Sequence, residues 1–140
     1  MSTRTFKEDY TKGLEAQKKL LPILQDFFKD ETIKETTNNF CSHDYIGFNK
    51  KLELKSRFIK HNQYPTAMIG YNKLPTTESE EKFIIIYNYQ DGIYYIEYNK
   101  EQFNKYDKNF FQRMGRTDKI DTSNKVVYIP YQDLKLIKSY

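Results

Sequence analysis

Asp44-Tyr45-Ile46-Gly47-Phe48-Asn49-Lys50-Lys51-Leu52-Glu53-Leu54-Lys55 is the stretch from which the fold can be read. Leu52 and Leu54 alternate with Lys51, Glu53 and Lys55. That period of two is the mark of a strand with one face in a core. Tyr45-Ile46-Gly47-Phe48 reads as the strand before it. A two-residue turn at Asn49-Lys50 would set Phe48 against Lys51, Ile46 against Glu53 and Asp44 against Lys55. Paired residues share a face, so Asp44, Glu53 and Lys55 converge on one side. The two carboxylates become diagonal neighbours, roughly 7–8 Å apart at the backbone. A longer turn would shift this register.

Outward from the hairpin, the chain alternates helical and strand patterns. Thr5-Phe6-Lys7-Glu8 has capping-box spacing, so a helix starts near Phe6. Its apolar stripe is Phe6, Tyr10, Leu14, Leu21, Leu24 and Phe28. Pro22 lies inside it and predicts a kink or two abutting helices. Residues 30–42 are polar, with room for a short helix around Thr32 to Asn38. Thr66 to Tyr71 reads as a short strand. Phe83 to Tyr89 and Ile93 to Tyr98 flank Asp91-Gly92, a strong hairpin signal. Phe83-Ile84-Ile85-Ile86 is apolar on both faces and should be a central, doubly covered strand. Asn99 caps an expected helix with Phe103, Tyr106, Phe110 and Met114 on one stripe, ending at Gly115. Val126 to Ile129 reads as a last strand stopped by Pro130, with a short C-terminal helix after it. The order is α-β-β-β-(β)-α-β, an α/β (α+β) fold with a mixed sheet flanked by helices.

The chain has 140 residues, which predicts a single domain over 1–140 with a core of its own. Its single cysteine, Cys41, cannot close an intramolecular disulfide. No run approaches a membrane span, and the start lacks a signal-peptide core, so an intracellular, soluble protein is expected. Apolar residues make up 38% and aromatic ones 16%, so Tyr and Phe must fill much of the core. The net charge is +4, and the window Lys50 to Lys60 alone carries as much. Focused positive charge attracts polyanions better than the same charge spread out.

Two carboxylates at hairpin spacing can both reach one hard divalent cation such as Mg²⁺. A lysine between them can hold an attacking water or a phosphate and stabilise developing negative charge. No second cysteine or paired histidine supports a zinc site, and the five glycines are too dispersed for a phosphate loop. His43 and His61 are weak catalytic candidates. The plainer alternative is a surface ion pair of Glu53 with Lys55, worth under about 1 kcal/mol.

Asp44, an eight-residue gap and Glu53-Leu54-Lys55 resemble the signature of the PD-(D/E)XK, or restriction-endonuclease-like, phosphodiesterase superfamily. His43 stands where that pattern has Pro. The run Leu54-Lys55-Ser56-Arg57, Tyr64 to Lys73 and the tail Val127 to Pro130 are similar to small nuclease-like proteins of large DNA viruses and phages. The resemblance implies a restriction-endonuclease-like core and Mg²⁺- or Mn²⁺-dependent hydrolysis of phosphodiester bonds of DNA. Asp44 and Glu53 would be metal ligands, with the backbone carbonyl of Leu54 a third. Lys55 would position the nucleophilic water. Gly13-Leu14-Glu15 offers the extra acid of the first helix, with Glu8 and Glu35 as alternatives. Arg57, Lys60, Lys73, Arg113 and Arg116 are candidates for phosphate contacts on charge and placement. Tyr64 and Tyr71 could stack on unpaired bases. A homodimer and a location in the host cell of a virus or phage are further expectations of the resemblance. The competing expectation is a non-catalytic nucleic-acid-binding or viral interaction module on the same scaffold. The acids inside the most basic stretch favour catalysis, because they repel phosphate unless a cation neutralises them.

Overall fold

A computed structural model describes residues 6–36, 43–76, 80–110 and 125–140, with backbone alone for 6–12 and 110. In chain order the elements are α1 (Phe6–Phe27), β1 (Lys34–Glu35), β2 (Tyr45–Gly47), β3 (Lys50–Ser56), β4 (Thr66–Gly70), β5 (Lys82–Tyr89), β6 (Gly92–Glu97), α2 (Lys100–Asn104), β7 (Asp107–Phe110), β8 (Lys125–Pro130) and β9 (Lys135–Ser139). They form a mixed six-stranded sheet in the order β1-β2-β3-β5-β6-β9 and a three-stranded sheet in the order β4-β8-β7. In the larger sheet β3 and β5 run parallel, and the other neighbours are antiparallel.

The larger sheet is covered on both faces, and the sequence of its middle strands shows why. β5 places Phe83, Ile85, Tyr87 and Tyr89 against Ala67, Ile69, Val127 and Ile129 of the smaller sheet. Its alternate residues Ile84 and Ile86 pack with Leu52, Tyr45, Ile33 and the α1 residues Leu20 and Leu24. Each such side chain contributes about 1.5–3 kcal/mol when fully buried. The continuous apolar run therefore specifies the doubly covered strand that it predicts. α1 lies on one face and the three-stranded sheet on the other.

Several expectations are corrected. α1 is one continuous helix through Pro22. Pro22 is exposed, so the backbone carbonyl it leaves unbonded is on the solvent side. Leu20 carries the buried stripe together with Leu24, while Leu14 is 40% exposed. The segment after α1 supplies a short strand, β1, in place of a helix, and residues 37–42, with Cys41, lie outside the described residues. The helix expected from Asn99 to Gly115 stops at Asn104. Lys108 Nζ donates to the carbonyls of Phe103 and Tyr106 at 3.0 Å each, which satisfies the helix end, and residues 107–110 pair with β8. Met114 and Gly115 lie outside the described residues. The short helix expected after Pro130 is a single 3-10 turn, Tyr131–Asp133, and the tail beyond it is a strand: Lys135–Ser139 pairs with the edge of β6. Among the described residues no helix is long and apolar enough to cross a membrane.

Candidate functional site

The β2–β3 turn is built from Phe48 and Asn49, not from Asn49 and Lys50. Gly47 pairs with Lys50, Ile46 with Lys51 and Tyr45 with Leu52. Asn49 sits at φ 54°, a left-handed conformation that Asn tolerates. The turn is fixed from a distance by Asp30. One oxygen of its carboxylate accepts from the backbone N–H of Phe48 at 3.0 Å and from Lys50 Nζ at 2.7 Å. The other accepts from the N–H and hydroxyl of Thr32. The Lys50 and Thr32 bonds hold the Asp30 carboxyl well below the usual carboxylate range. Gly47 is required here, because a Cβ would lie 2.8 Å from Ile33 and 2.9 Å from the Asp30 carboxylate.

The two-residue change in pairing keeps the same residues on the same face but moves the acids. Glu53 is in register with Ile85 of β5 and Lys55 with Tyr87, so both face the smaller sheet. Asp44 stands just before the start of β2. Its N–H bonds to Leu52 O at 3.0 Å, and its carboxylate accepts the N–H of Leu54 at 2.7 Å. The Asp44 backbone and side chain thus continue the ladder ahead of the first residue of β2, across from Glu53 and Leu54.

Glu53 is only 5% exposed. Lys55 Nζ lies 3.3 Å from its Oε1. Burial raises the Glu53 pKa, the neighbouring charge of Asp44 raises it further, and Lys55 and Lys73 act against both. The group therefore sits in a low-dielectric position, beside a second acid and two lysines. Lys73 comes from the 3-10 turn after β4, Tyr71–Lys73. His43 stands next to this group with its ring 5.6 Å from that of Phe83. Burial and the charge of Lys51 lower its pKa.

The remaining sequence candidates divide clearly. Glu15 is exposed on α1, the layer that packs on the opposite face of the sheet from Glu53. Glu35 is in register with Tyr45, which faces α1, so it points away from Glu53 as well. The side chain of Glu8 is not described. The α1 residue that does reach the hairpin is Gln17, whose side-chain amide donates to Asp44 O at 2.9 Å. Arg57 and Lys60 are exposed beyond the end of β3. Arg113 and Arg116 lie outside the described residues. Tyr64 and Tyr71 are both exposed, and Tyr71 borders a cavity near the site.

Two features were missed from the sequence. Asp30-Glu31-Thr32 carries the Asx-turn signal, an Asp side chain bonding the N–H two residues on. His61 in the 58–65 loop pairs with Asp91 at 2.5 Å and stacks on Tyr94 at 4.4 Å, pinning that loop to the β5–β6 turn. No local signal links residues 30 apart.

Among the described residues, no three His, Cys, Asp or Glu side chains are grouped to hold a metal ion. The site therefore offers two carboxylates and a lysine. These are hard oxygen donors, and the charge of Asp44 adds to the cost of ionising Glu53, a cost that a divalent cation would offset. Mg²⁺ commonly uses one or two carboxylates and keeps several waters, so the donor set fits such an ion. Comparison with protein-family models, curated proteins and solved structures finds no match to this chain.

Proposed function

We propose that the chain is a metal-dependent nuclease with a restriction-endonuclease-like core, acting on phosphodiester bonds of DNA. One observation carries this reading. Glu53 is buried beside Asp44 with Lys55 Nζ 3.3 Å away, inside the most basic stretch of the protein. Burying Glu53 beside a second acid costs stability that Lys55 offsets only in part, and such perturbed groups cluster at functional sites. Asp44 and Glu53 would hold Mg²⁺ or Mn²⁺, with the Leu54 carbonyl a further oxygen donor. The cation would supply Lewis acidity and lower the pKa of a bound water. Lys55 orients a water or a phosphate oxygen by donating from a fixed ammonium, and its charge offsets the negative charge that builds on the phosphate. Lys73, and at longer range Arg57 and Lys60, attract the backbone of the nucleic acid.

The non-catalytic reading has one observation in its favour, that no group of three metal-ligating side chains is found among the described residues. Both readings are separated by one experiment. Linear, circular and single-stranded DNA are incubated with Mg²⁺ or Mn²⁺ and wild type, Glu53→Gln or Lys55→Ala. Metal-dependent cutting that both substitutions remove supports the nuclease. Binding without cutting, equal in all three proteins, supports the binding module.

A further inference from the structure

A cavity of about 650 Å³ opens at the start of β5, between the 3-10 turn 71–73, the end of β6 and α2. Tyr71, exposed, and Tyr98, half-buried, line it over the buried core residues Phe83 and Phe103, and Asn99 and Asn104 bring polar groups. Among the described residues three lysines and three glutamates also line it, and their charges cancel. A phosphate would find no excess positive charge there. A flat neutral heterocycle with hydrogen-bonding edges would find rings to stack on and polar groups to pair with.

The cavity adjoins the carboxylate pair. Phe83 precedes Ile85, the register partner of Glu53, by two residues, which is about 7 Å along a strand. It faces the same side of the sheet as Ile85, Tyr87 and the smaller sheet. Lys51 reaches the cavity wall through Glu81 at 3.1 Å. The turn 71–73 serves both places, with Tyr71 at the cavity and the charge of Lys73 acting on Glu53. Tyr71 is 47% exposed, and Lys125 Nζ lies 4.6 Å from its ring centre.

We propose that this cavity receives one unpaired base of a single-stranded nucleic acid while the adjoining phosphate lies at Glu53 and Lys55. The phosphate half rests on the nuclease reading, and the base half does not. A base inside a duplex must first be unpaired and unstacked, which costs a few kcal/mol. A strand whose bases are already free avoids that cost, so the site selects single strands, flaps or gaps over blunt duplex.

The test is equilibrium binding of a fluorescent single-stranded oligonucleotide and its blunt duplex in EDTA, where no metal-dependent cutting occurs. Wild type is compared with Tyr71→Ala, Tyr98→Leu and Tyr98→Phe. Tyr71 is exposed, so its removal leaves the core intact. Tyr98 packs on Phe103 at 4.9 Å, and the Phe variant keeps that ring contact. The single strand is expected to bind at least tenfold tighter than the duplex. Tyr71→Ala and Tyr98→Leu are each expected to weaken single-strand binding about fivefold or more, with duplex binding unchanged and Tyr98→Phe close to wild type. Equal affinity for both substrates, or single-strand binding indifferent to Tyr71 and Tyr98, would overturn the proposal. So would full competition by free mononucleotide with no dependence on oligonucleotide length, since the cavity would then hold a free nucleotide. Ring-dependent single-strand binding with no cutting under any metal would sink the nuclease reading and leave the base site standing. Cutting that needs Glu53 and Lys55 but treats duplex and single strand alike would do the reverse.

Discussion

Asp30 and Glu53 are the two buried charged residues among the described ones, 8% and 5% exposed, and both serve the same hairpin. They are held in opposite ways. Asp30 accepts four hydrogen bonds, one from the Lys50 ammonium, and its pKa falls. Glu53 has one lysine at 3.3 Å and another acid for a neighbour, and its pKa rises. A carboxylate whose lone pairs are all satisfied stabilises the fold as an anion. One left short of partners costs stability as an anion, and it keeps lone pairs for something outside the chain. On the proposed reading, that difference separates a clamp from a site although burial is similar.

The largest effect that would sharpen this contrast is on catalysis. Glu53→Gln and Lys55→Ala should each lower metal-dependent cleavage by about 10²–10⁴-fold, while Asp30→Asn should leave the activity per folded molecule unchanged. Initial rates normalised to the folded fraction by circular dichroism check this. Similar losses in all three variants would break the distinction.

Next in size is the loss of the clamp. Asp30→Asn leaves Lys50 without its anionic partner and weakens the anchor on the Phe48 turn, so Tm should fall by several degrees. The sign with pH follows from the lowered pKa. The stabilisation by Asp30 is present above the unfolded value of 3.8 and disappears as pH falls below it toward the folded value. Thermal melts of wild type and Asp30→Asn should therefore converge as pH drops below about 4.

How far the sequence discloses this arrangement depends on whether the deciding contact is local. The Leu52/Leu54 alternation names the buried face of β3, and the apolar run of β5 names the central strand, because each signal lies within one element. The turn does not reveal itself in this way, since its position is chosen by Asp30, 18 residues before Phe48. The period-two chemistry survives the register change, which is why Asp44, Glu53 and Lys55 still come together. The stripe Phe103, Tyr106 and Phe110 fits a helix as well as a helix followed by a strand. Lys108 ending α2 and β8 offering an edge make the choice, and both are tertiary facts. β9 likewise depends on the open edge of β6.

Glu53 should show the opposite pH sign to Asp30. Its pKa is raised in the folded state, so its favourable contribution is complete below the unfolded value of 4.5 and is lost as pH rises through the folded one. Glu53→Gln removes that loss and should raise Tm at neutral pH. Millimolar Mg²⁺ should raise the Tm of wild type and not of Glu53→Gln. At tenfold over Kd the gain is about 1.4 kcal/mol. Scanning calorimetry at pH 5 and pH 8, with and without the metal, reads both effects.

The smallest expected effect concerns Glu15. It is exposed on α1, two residues before Gln17, the helix residue that does bond Asp44. Two residues turn an α-helix by about 200°, so Glu15 and Gln17 point to nearly opposite sides. α1 also packs on the face of the sheet away from Glu53. Glu15→Gln should change stability by less than about 0.5 kcal/mol and leave cleavage and its metal dependence unchanged. Gln17→Ala, in contrast, removes the amide bond to Asp44 O and should lower cleavage severalfold by loosening the start of β2. If Glu15→Gln were as damaging as Glu53→Gln, a third carboxylate would belong to the site, and the split between the α1 face and the inter-sheet face would no longer separate scaffold from chemistry.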